Sequence, residues 1–170
     1  KDANIRAQVV QWDKARKEND PVGNWRECIE GGNAKAGGKL FAEKAEAACL
    51  RCHKVNGTGG DVGPDLGGIG TRLSREDILR PIVDPKPAIT QGYDNVIVTL
   101  DDGSFVFGLV AGESADELIL KSLVDGTPQR VMKASIKERT TAPSAMPPGL
   151  GDVLGKRGLR DIVEYLAGLK

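Results

Sequence analysis

A chain of 170 residues is long enough for one domain, or for a small domain that carries an insertion. Its 24 basic and 24 acidic side chains balance, so no excess of positive charge indicates a nucleic-acid partner. The sequence contains no run of about twenty apolar residues, so it predicts no membrane span. Aromatic residues make up 4% of the chain and 22 residues are glycine, which leaves a core short of large side chains.

Helical patterns occupy the first part of the chain. The apolar spacing predicts a helix over residues 4–19 that ends at Asp20, and Asn24 with Glu27 resembles the capping box of a second, short helix. Asn33 is expected to cap a third helix, which continues to about residue 46. This third helix leads directly into a cysteine motif.

Residues 49–53 read Cys-Leu-Arg-Cys-His, and C-x-x-C-H is the attachment signature of c-type haem. In such a motif the two thiols add across the haem vinyl groups as thioethers, and the adjacent histidine gives the iron its proximal nitrogen. The spacing fits because three bonds to one flat cofactor must come from one tight turn. The sequence therefore predicts one haem c, bound by Cys49 and Cys52, with His53 as an iron ligand.

The motif has two other interpretations. A tetrahedral zinc site needs four ligands, and with a single histidine and Cys28 lying 21 residues upstream, zinc would have to recruit carboxylates. A thioredoxin-like dithiol would require a βαβ context, which the neighbouring pattern lacks. Haem c is the better interpretation.

The single histidine also limits the second axial ligand, because it excludes a bis-histidine haem within one chain. Met132 lies in a strand pattern, where a methionine is more often a core residue. Met146 lies in the proline-stiffened loop at 143–149, which suits a sulfur held over the iron. We predict Met146 as the ligand, since His/Met ligation raises the reduction potential and suits electron transfer. A surface Met146 with an open, water-bound or lysine-bound iron stays an alternative.

A glycine-rich loop at residues 57–68 follows the motif. It is not a phosphate loop, because no Gly-Lys-Ser/Thr follows it and no strand precedes it. Close approach of the backbone to a flat ligand is the better explanation. Ser74 with Asp77 then predicts the start of a helix over Arg75–Val83, which Pro85 and Pro87 end.

From Tyr93 the apolar period changes from that of a helix to that of a strand. Val96, Val98 and Leu100 alternate with residues of the opposite face, and two Asp-Gly pairs predict hairpin turns. Strands are expected near 96–100, 105–110, 118–123, 130–132 and 136, which fit a small barrel or a curled meander. Helical spacing returns at Leu159, Ile162, Val163 and Leu166.

This order of elements predicts a mainly α haem domain with a small all-β insertion between the two axial ligands, α+β overall. The insertion must leave and return at nearly the same place, because both ligands meet across one iron. The predicted boundaries are an N-terminal helical extension or linker at 1–36, the haem domain at 37–91 and 138–170, and the β insertion at 92–137.

The motifs resemble those of class I c-type cytochromes and imply a cytochrome c fold. Five features follow that family's order: Gly38-x-Leu40-Phe41, Cys49–His53, Gly63-Pro64, Met146-Pro147 and Tyr165-Leu166. Within that family the chain resembles one subgroup more closely, the haem-binding domain found in Planctomycetes and Verrucomicrobia, over about residues 37–170. Other matching positions are Gly59, Val62, Asp65, Leu66, Ile82, Pro85, Asp102-Gly103, Gly108 and Ile136.

The resemblance also implies contacts around the haem and between the terminal helices. In cytochromes c the proline of the Gly-Pro pair offers its carbonyl to the proximal histidine, so Pro64 is expected to accept from Nδ1 of His53, which orients the ring. The first and last helices are expected to stack, here with Gly38 and Phe41 against Tyr165 and Leu166. Arg72 has two open interpretations, since its guanidinium suits a haem propionate and equally suits solvent.

The leading functional hypothesis is a one-electron carrier between a donor dehydrogenase, fused upstream if the chain is a fragment, and an acceptor. The alternative is a haem-based sensor with an exchangeable sixth site. A peroxidase-like enzyme is less favoured, because no second histidine is present to act as a distal base.

Haem c is attached outside the cytoplasm, so we expect a periplasmic or otherwise extracytoplasmic protein whose export signal lay upstream of Lys1. Cys28 is then an odd thiol in an oxidising compartment. It is either buried or one half of a disulfide that joins two chains as a dimer.

Overall fold

The computed structural model describes residues 2–14, 20–86 and 90–170. Within these ranges the α-helices are α1 (Asp2–Lys14), α2 (Ala34–Glu43), α3 (Cys49–Cys52), α4 (Arg75–Val83) and α5 (Leu150–Ala167). Short 3-10 helices lie at Gly23–Cys28, Ile69–Thr71 and Lys133–Ser135. The predicted end of the first helix, at residues 15–19, and the predicted stop at Pro87 lie outside the described residues.

Side-chain caps explain where two of these helices begin. The Asn33 side chain accepts from the Ala36 N–H at 3.0 Å and opens α2, and the Ser74 hydroxyl accepts from the Asp77 N–H at 3.1 Å and opens α4. Both predicted caps are confirmed, although α2 ends at Glu43 rather than near residue 46. The predicted capping box at Asn24 is wrong, because the 3-10 helix there has Val22 as its N-cap.

Helices α2 and α5 cross at very close range and form the centre of the helical half. A Cβ atom added to Gly37 would lie 1.9 Å from the backbone oxygen of Asp161, so only glycine permits this approach. The rings of Phe41 and Tyr165 meet with centroids 5.6 Å apart and tilted by 49°. This is the stacking that the resemblance implied. Helix α5 is interrupted at Gly155, where φ is 65° and ψ is 164°.

The segment before α2 belongs to the core of the helical half. Val22 and Cys28 have no exposed surface, and the indole of Trp25 packs on Gly151 at the start of α5. The Cys28 thiol donates to the Lys156 carbonyl at 3.3 Å, and burial raises its pKa. A dimer through Cys28 is therefore not supported, since a buried thiol cannot reach a second chain.

A paired arginine and glutamate join α4 to α5. The Arg75 guanidinium donates from both terminal nitrogens to Glu164, at 2.6 and 2.8 Å, and also to the Ile29 carbonyl at 3.3 Å. The hydrogen bond from Arg75 holds the pKa of the Glu164 carboxyl below its usual range. Two parallel bonds to a half-buried carboxylate are stronger than an ordinary surface pair.

Replacing Glu164 with glutamine is expected to lower the free energy of unfolding by about 1 kcal/mol at neutral pH. Because the folded pKa of Glu164 lies below the unfolded value, its contribution is complete above the unfolded pKa of about 4.3 and is lost as the pH falls through the folded pKa. Urea unfolding at several pH values measures this. The control is Glu76→Gln, which breaks the more exposed 2.8 Å pair with Arg80. An equal loss in both variants would contradict the prediction.

The second half is an antiparallel sheet of five strands. They are β3 (Asn95–Leu100), β4 (Phe105–Glu113), β5 (Glu117–Lys121), β6 (Pro128–Met132) and β7 (Ile136–Thr141). They lie in the order β6-β5-β4-β3-β7, and β1 (Lys54–Val55) and β2 (Thr58–Gly59) form a separate small hairpin. All five predicted strands are confirmed, and the α+β class with them.

The sheet must curl strongly, because its two edge strands follow each other in the chain. Four residue steps separate the end of β6 from the start of β7 and span at most about 14 Å. The edges of a flat sheet of five strands would lie about 19 Å apart. The buried residues of its concave side form a second core: Val96, Val98, Leu118, Leu120 and Val131.

Met132 does not join that core, so its predicted core position is wrong. It ends edge strand β6 opposite Glu117 and is 52% exposed, because its side chain lies on the face of the pleat opposite that of Val131. Contacts between the halves include the ion pair of Lys121 with Asp61 at 2.8 Å. In the described ranges, no helix combines the length and apolar character that a membrane crossing requires.

Candidate functional site

A largely apolar cavity lies in the helical half, beneath the loop that precedes α5. Its empty space, counting the solvent at its open mouth, is about 1290 Å³. Phe41, Ile78, Ile82 and Leu166 contribute apolar wall. This lining favours a ligand whose surface is mainly apolar.

The cysteine motif forms one wall. Helix α3 is a single turn, in which the His53 N–H donates to the Cys49 carbonyl at 2.8 Å, and Cys49, Cys52 and His53 all line the cavity. Ala48, the residue before this turn, has a φ of 45°, a left-handed conformation that costs about 1 kcal/mol in a residue other than glycine. The turn presents two thiols and an imidazole to one space, as three bonds to one cofactor require.

His53 is oriented by the loop that follows it. Its Nδ1 lies 2.9 Å from the Pro64 carbonyl oxygen, which is the contact that the resemblance implied. Gly63 lies against the ring, since a Cβ there would be 2.6 Å from Cε1. Burial lowers the pKa of His53, against the opposing effect of the bond to Pro64. With Nδ1 engaged, Nε2 is the ring nitrogen left for a metal.

Met146 lines the same cavity as the cysteines and His53, whereas Met132 does not. The loop at 142–149 carries it between β7 and α5, and the Met146 N–H donates to the Ser144 hydroxyl at 3.2 Å. Leu150, buried in the helical core, follows the loop. Of the two methionines, the structure brings only Met146 to the cavity.

Arg72 lies away from the cavity lining. One of its terminal nitrogens donates to the carbonyls of Asp65 and Gly67, at 3.3 and 3.1 Å, and the residue is exposed. This bonding steadies the loop after Pro64. A contact between Arg72 and a haem propionate stays a prediction.

Sequence reasoning missed Asn95, which lines the cavity from β3 and is 2% exposed. Its position in the strand alternation is the same as that of Ile97 and Thr99, so periodicity gave no signal for burial. The only available signal was a polar residue at the start of a strand, two positions after Tyr93. Folding the sheet back onto the helical half buries it.

The residues present fit a covalently attached haem. Among the described residues, no three histidine, cysteine or acidic side chains cluster as ligands for a metal ion, which leaves the zinc interpretation without a ligand set. Burial raises the pKa of the Cys49 thiol to about 11, which does not suit a reactive dithiol. Cys49 and Cys52 are free thiols beside His53 in an apolar cavity, and both are available for thioether bonds.

Comparison with known families agrees with this geometry. The Cytochrome c family model matches residues 34–97, which include α2, the C-x-x-C-H turn, Gly63-Pro64 and α4. A comparison with curated proteins found no match. The match supports a c-type cytochrome that transfers electrons through haem and therefore has a redox partner. The cofactor is covalently attached haem c, and Cys49, Cys52 and His53 fit its attachment motif. Met146 and most of the sheet lie beyond the matched residues.

Proposed function

We propose that this chain is a monohaem c-type cytochrome domain that carries single electrons with His53 and Met146 as axial ligands. The observation that carries the proposal is one cavity lined by Cys49, Cys52, His53 and Met146. When bound, the haem supplies the one-electron chemistry. The protein residues attach it, orient its ligands and exclude water.

Each contact of the site has a defined task in this proposal. The Pro64 carbonyl, 2.9 Å from Nδ1, fixes the His53 ring and raises the basicity of Nε2. The apolar wall keeps water from the site, which together with a thioether ligand favours a raised reduction potential. The described site offers no second imidazole as a distal base, which supports a carrier over a peroxidase.

The sheet is, in this proposal, an insertion between the two axial ligands. Because β7 continues to Thr141, we place the end of the insertion at 141 rather than 137, which leaves the haem domain at 37–91 and 142–170. Its ends lie side by side, since the Ala142 N–H donates to the Asn95 carbonyl at 2.8 Å, so the chain leaves and returns at one place. Val22 and Cys28 support including residues 20–36 in the haem domain as well.

The partner and the compartment follow from the chemistry of the cofactor and from the resemblance. We propose a dehydrogenase as electron donor, carried on the same polypeptide if this chain is a piece of a longer one. We also propose an extracytoplasmic location, because haem c is attached there. From the resemblance we also propose that the chain belongs to the subgroup found in Planctomycetes and Verrucomicrobia.

Optical spectra test the ligation. The oxidised protein should show a weak far-red sulfur-to-iron band, and the reduced protein should not bind carbon monoxide. Met146→Ala should abolish the band, admit carbon monoxide and lower the reduction potential within the roughly 0.8 V range that axial ligands span.

Met132→Ala is the matched control, because Met132 is exposed at the sheet edge and should leave the spectrum unchanged. Rapid carbon monoxide binding by the unmodified protein would contradict the proposal. In that case the haem sensor with an exchangeable sixth site would take its place.

A further inference from the structure

Asn95 is a buried polar residue at the junction of the sheet and the cavity. It is the first residue of β3, is 2% exposed and lines the cavity together with His53 and Met146. An amide in such a place is retained at a free-energy cost unless its polar atoms are paired. Its partners therefore indicate its role.

Asn95 makes two bonds to the segment that leads to Met146. Its backbone carbonyl accepts from the Ala142 N–H at 2.8 Å, and its side-chain Nδ2 donates to the Pro143 carbonyl at 3.2 Å. Pro143 precedes Met146 by three residues and has no N–H of its own with which to anchor the loop. The donor from Asn95 therefore fixes the loop where the ladder of β7 ends.

The other amide atom, Oδ1, is buried and has no hydrogen-bond partner among the described residues. Exchanging the oxygen and nitrogen of the amide would not help, because it would set an oxygen against the Pro143 carbonyl oxygen. The unpaired acceptor belongs to a residue that lines the cavity. An ordered water in the loaded site would satisfy it.

We propose that Asn95 is a positioning residue for Met146, through which the sheet holds the loop over the cavity. The bond to Pro143 fixes one end of the loop, and Leu150 in the helical core fixes the other. In this way the sheet holds the Met146 loop in place, in addition to covering the haem. This inference rests on the proposed ligation by Met146.

The test compares three forms of the haem-loaded protein. Asn95→Leu keeps the branched shape of the side chain, its number of heavy atoms and the backbone bond to Ala142, but removes the donor to Pro143 and the unpaired acceptor. Val98→Ala is the control. Val98 is fully buried in the sheet core and lies on the face of β3 opposite that of Asn95. Its truncation therefore weakens the sheet core without removing a bond to the loop. Each form is assayed by its far-red band, by carbon monoxide binding and by hydrogen exchange of the amides at 144–146.

In Asn95→Leu, the loop should open about five times more often, the factor that corresponds to one hydrogen bond of ordinary net strength. Amide exchange at 144–146 should rise by this factor, the reduced protein should become able to bind carbon monoxide slowly, and the far-red band should weaken. Val98→Ala should lower the unfolding midpoint yet leave the band and these amides unchanged.

Two results would overturn the inference. One is unchanged exchange and carbon monoxide binding in Asn95→Leu, and the other is an equal change in Val98→Ala, which would mark a general loss of stability. Failure of the proposed ligation is distinguishable, because the far-red band would then be absent from the unmodified protein. The exchange rates at 144–146 would still show whether Asn95 holds the loop.

Discussion

Replacing Gly37 with alanine is expected to destabilise the haem-loaded protein by about 3 kcal/mol or more, at the upper end of the effects of overpacking. The new Cβ would lie 1.9 Å from the Asp161 backbone oxygen and 2.4 Å from its carbonyl carbon. These are backbone atoms of α5, which cannot turn away as a side-chain end can. Helices α2 and α5 must therefore separate, and the cavity wall between Phe41 and Leu166 must open with them.

Gly158→Ala is the matched control for this prediction. Gly158 also lies in a helix, but an added Cβ would be 3.4 Å from the nearest atom, a flexible methyl of Leu40. Because alanine is favoured over glycine in helices by roughly 1 kcal/mol, Gly158→Ala should be neutral or stabilising. Urea unfolding of both variants gives the comparison. Equal stability of Gly37→Ala and the unmodified protein would contradict the close crossing of α2 and α5.

The parts of the fold that were predicted from sequence are those decided by neighbours in the chain. The caps at Asn33 and Ser74 depend on a side chain and an N–H three residues later, and the strands depend on a period of two. The cysteine motif is likewise a single turn, so its spacing alone defines its chemistry. These features do not require knowledge of what packs against them.

The remaining features depend on contacts between distant segments. Residues 20–32 are rich in charge and glycine, and nothing local indicates that Val22 and Cys28 become buried against α5. Met132 was expected in the core, but the face it occupies depends on the register of an edge strand. Asn95 is buried only because the sheet folds back onto the helices. Sequence reasoning named Cys49, Cys52, His53 and Met146, which the structure brings to one cavity, and missed Asn95, which lines that cavity from the sheet.

Under the proposed ligation, Gly63→Ala is expected to lower the equilibrium constant for binding of His53 to the iron by roughly 10- to 100-fold, the usual effect of disturbing a residue that orients a metal ligand. An added Cβ would lie 2.6 Å from Cε1 and 2.8 Å from Nδ1 of His53. The ring must move away, and Nδ1 would then lose its 2.9 Å contact with Pro64. We expect a larger high-spin fraction and loss of the low-spin spectrum at a lower urea concentration.

The control for Gly63→Ala is Gly112→Ala, in β4, where an added Cβ would lie 3.7 Å from its nearest neighbour. This variant should keep both the low-spin spectrum and the urea midpoint, because Gly112 does not line the cavity. The comparison separates an effect on the ligand from a general loss of stability, because global unfolding followed by circular dichroism should change less than the low-spin spectrum in Gly63→Ala. The prediction is contradicted if, in Gly63→Ala, the low-spin spectrum and the circular dichroism signal are lost together at the urea midpoint of the unmodified protein. The loop would then absorb the extra methyl, and the packing of Gly63 on the imidazole would not control ligation. If the low-spin spectrum is lost first, the glycine beside His53 sets the ring position, and the Pro64 carbonyl can hold that ring only while residue 63 has no side chain.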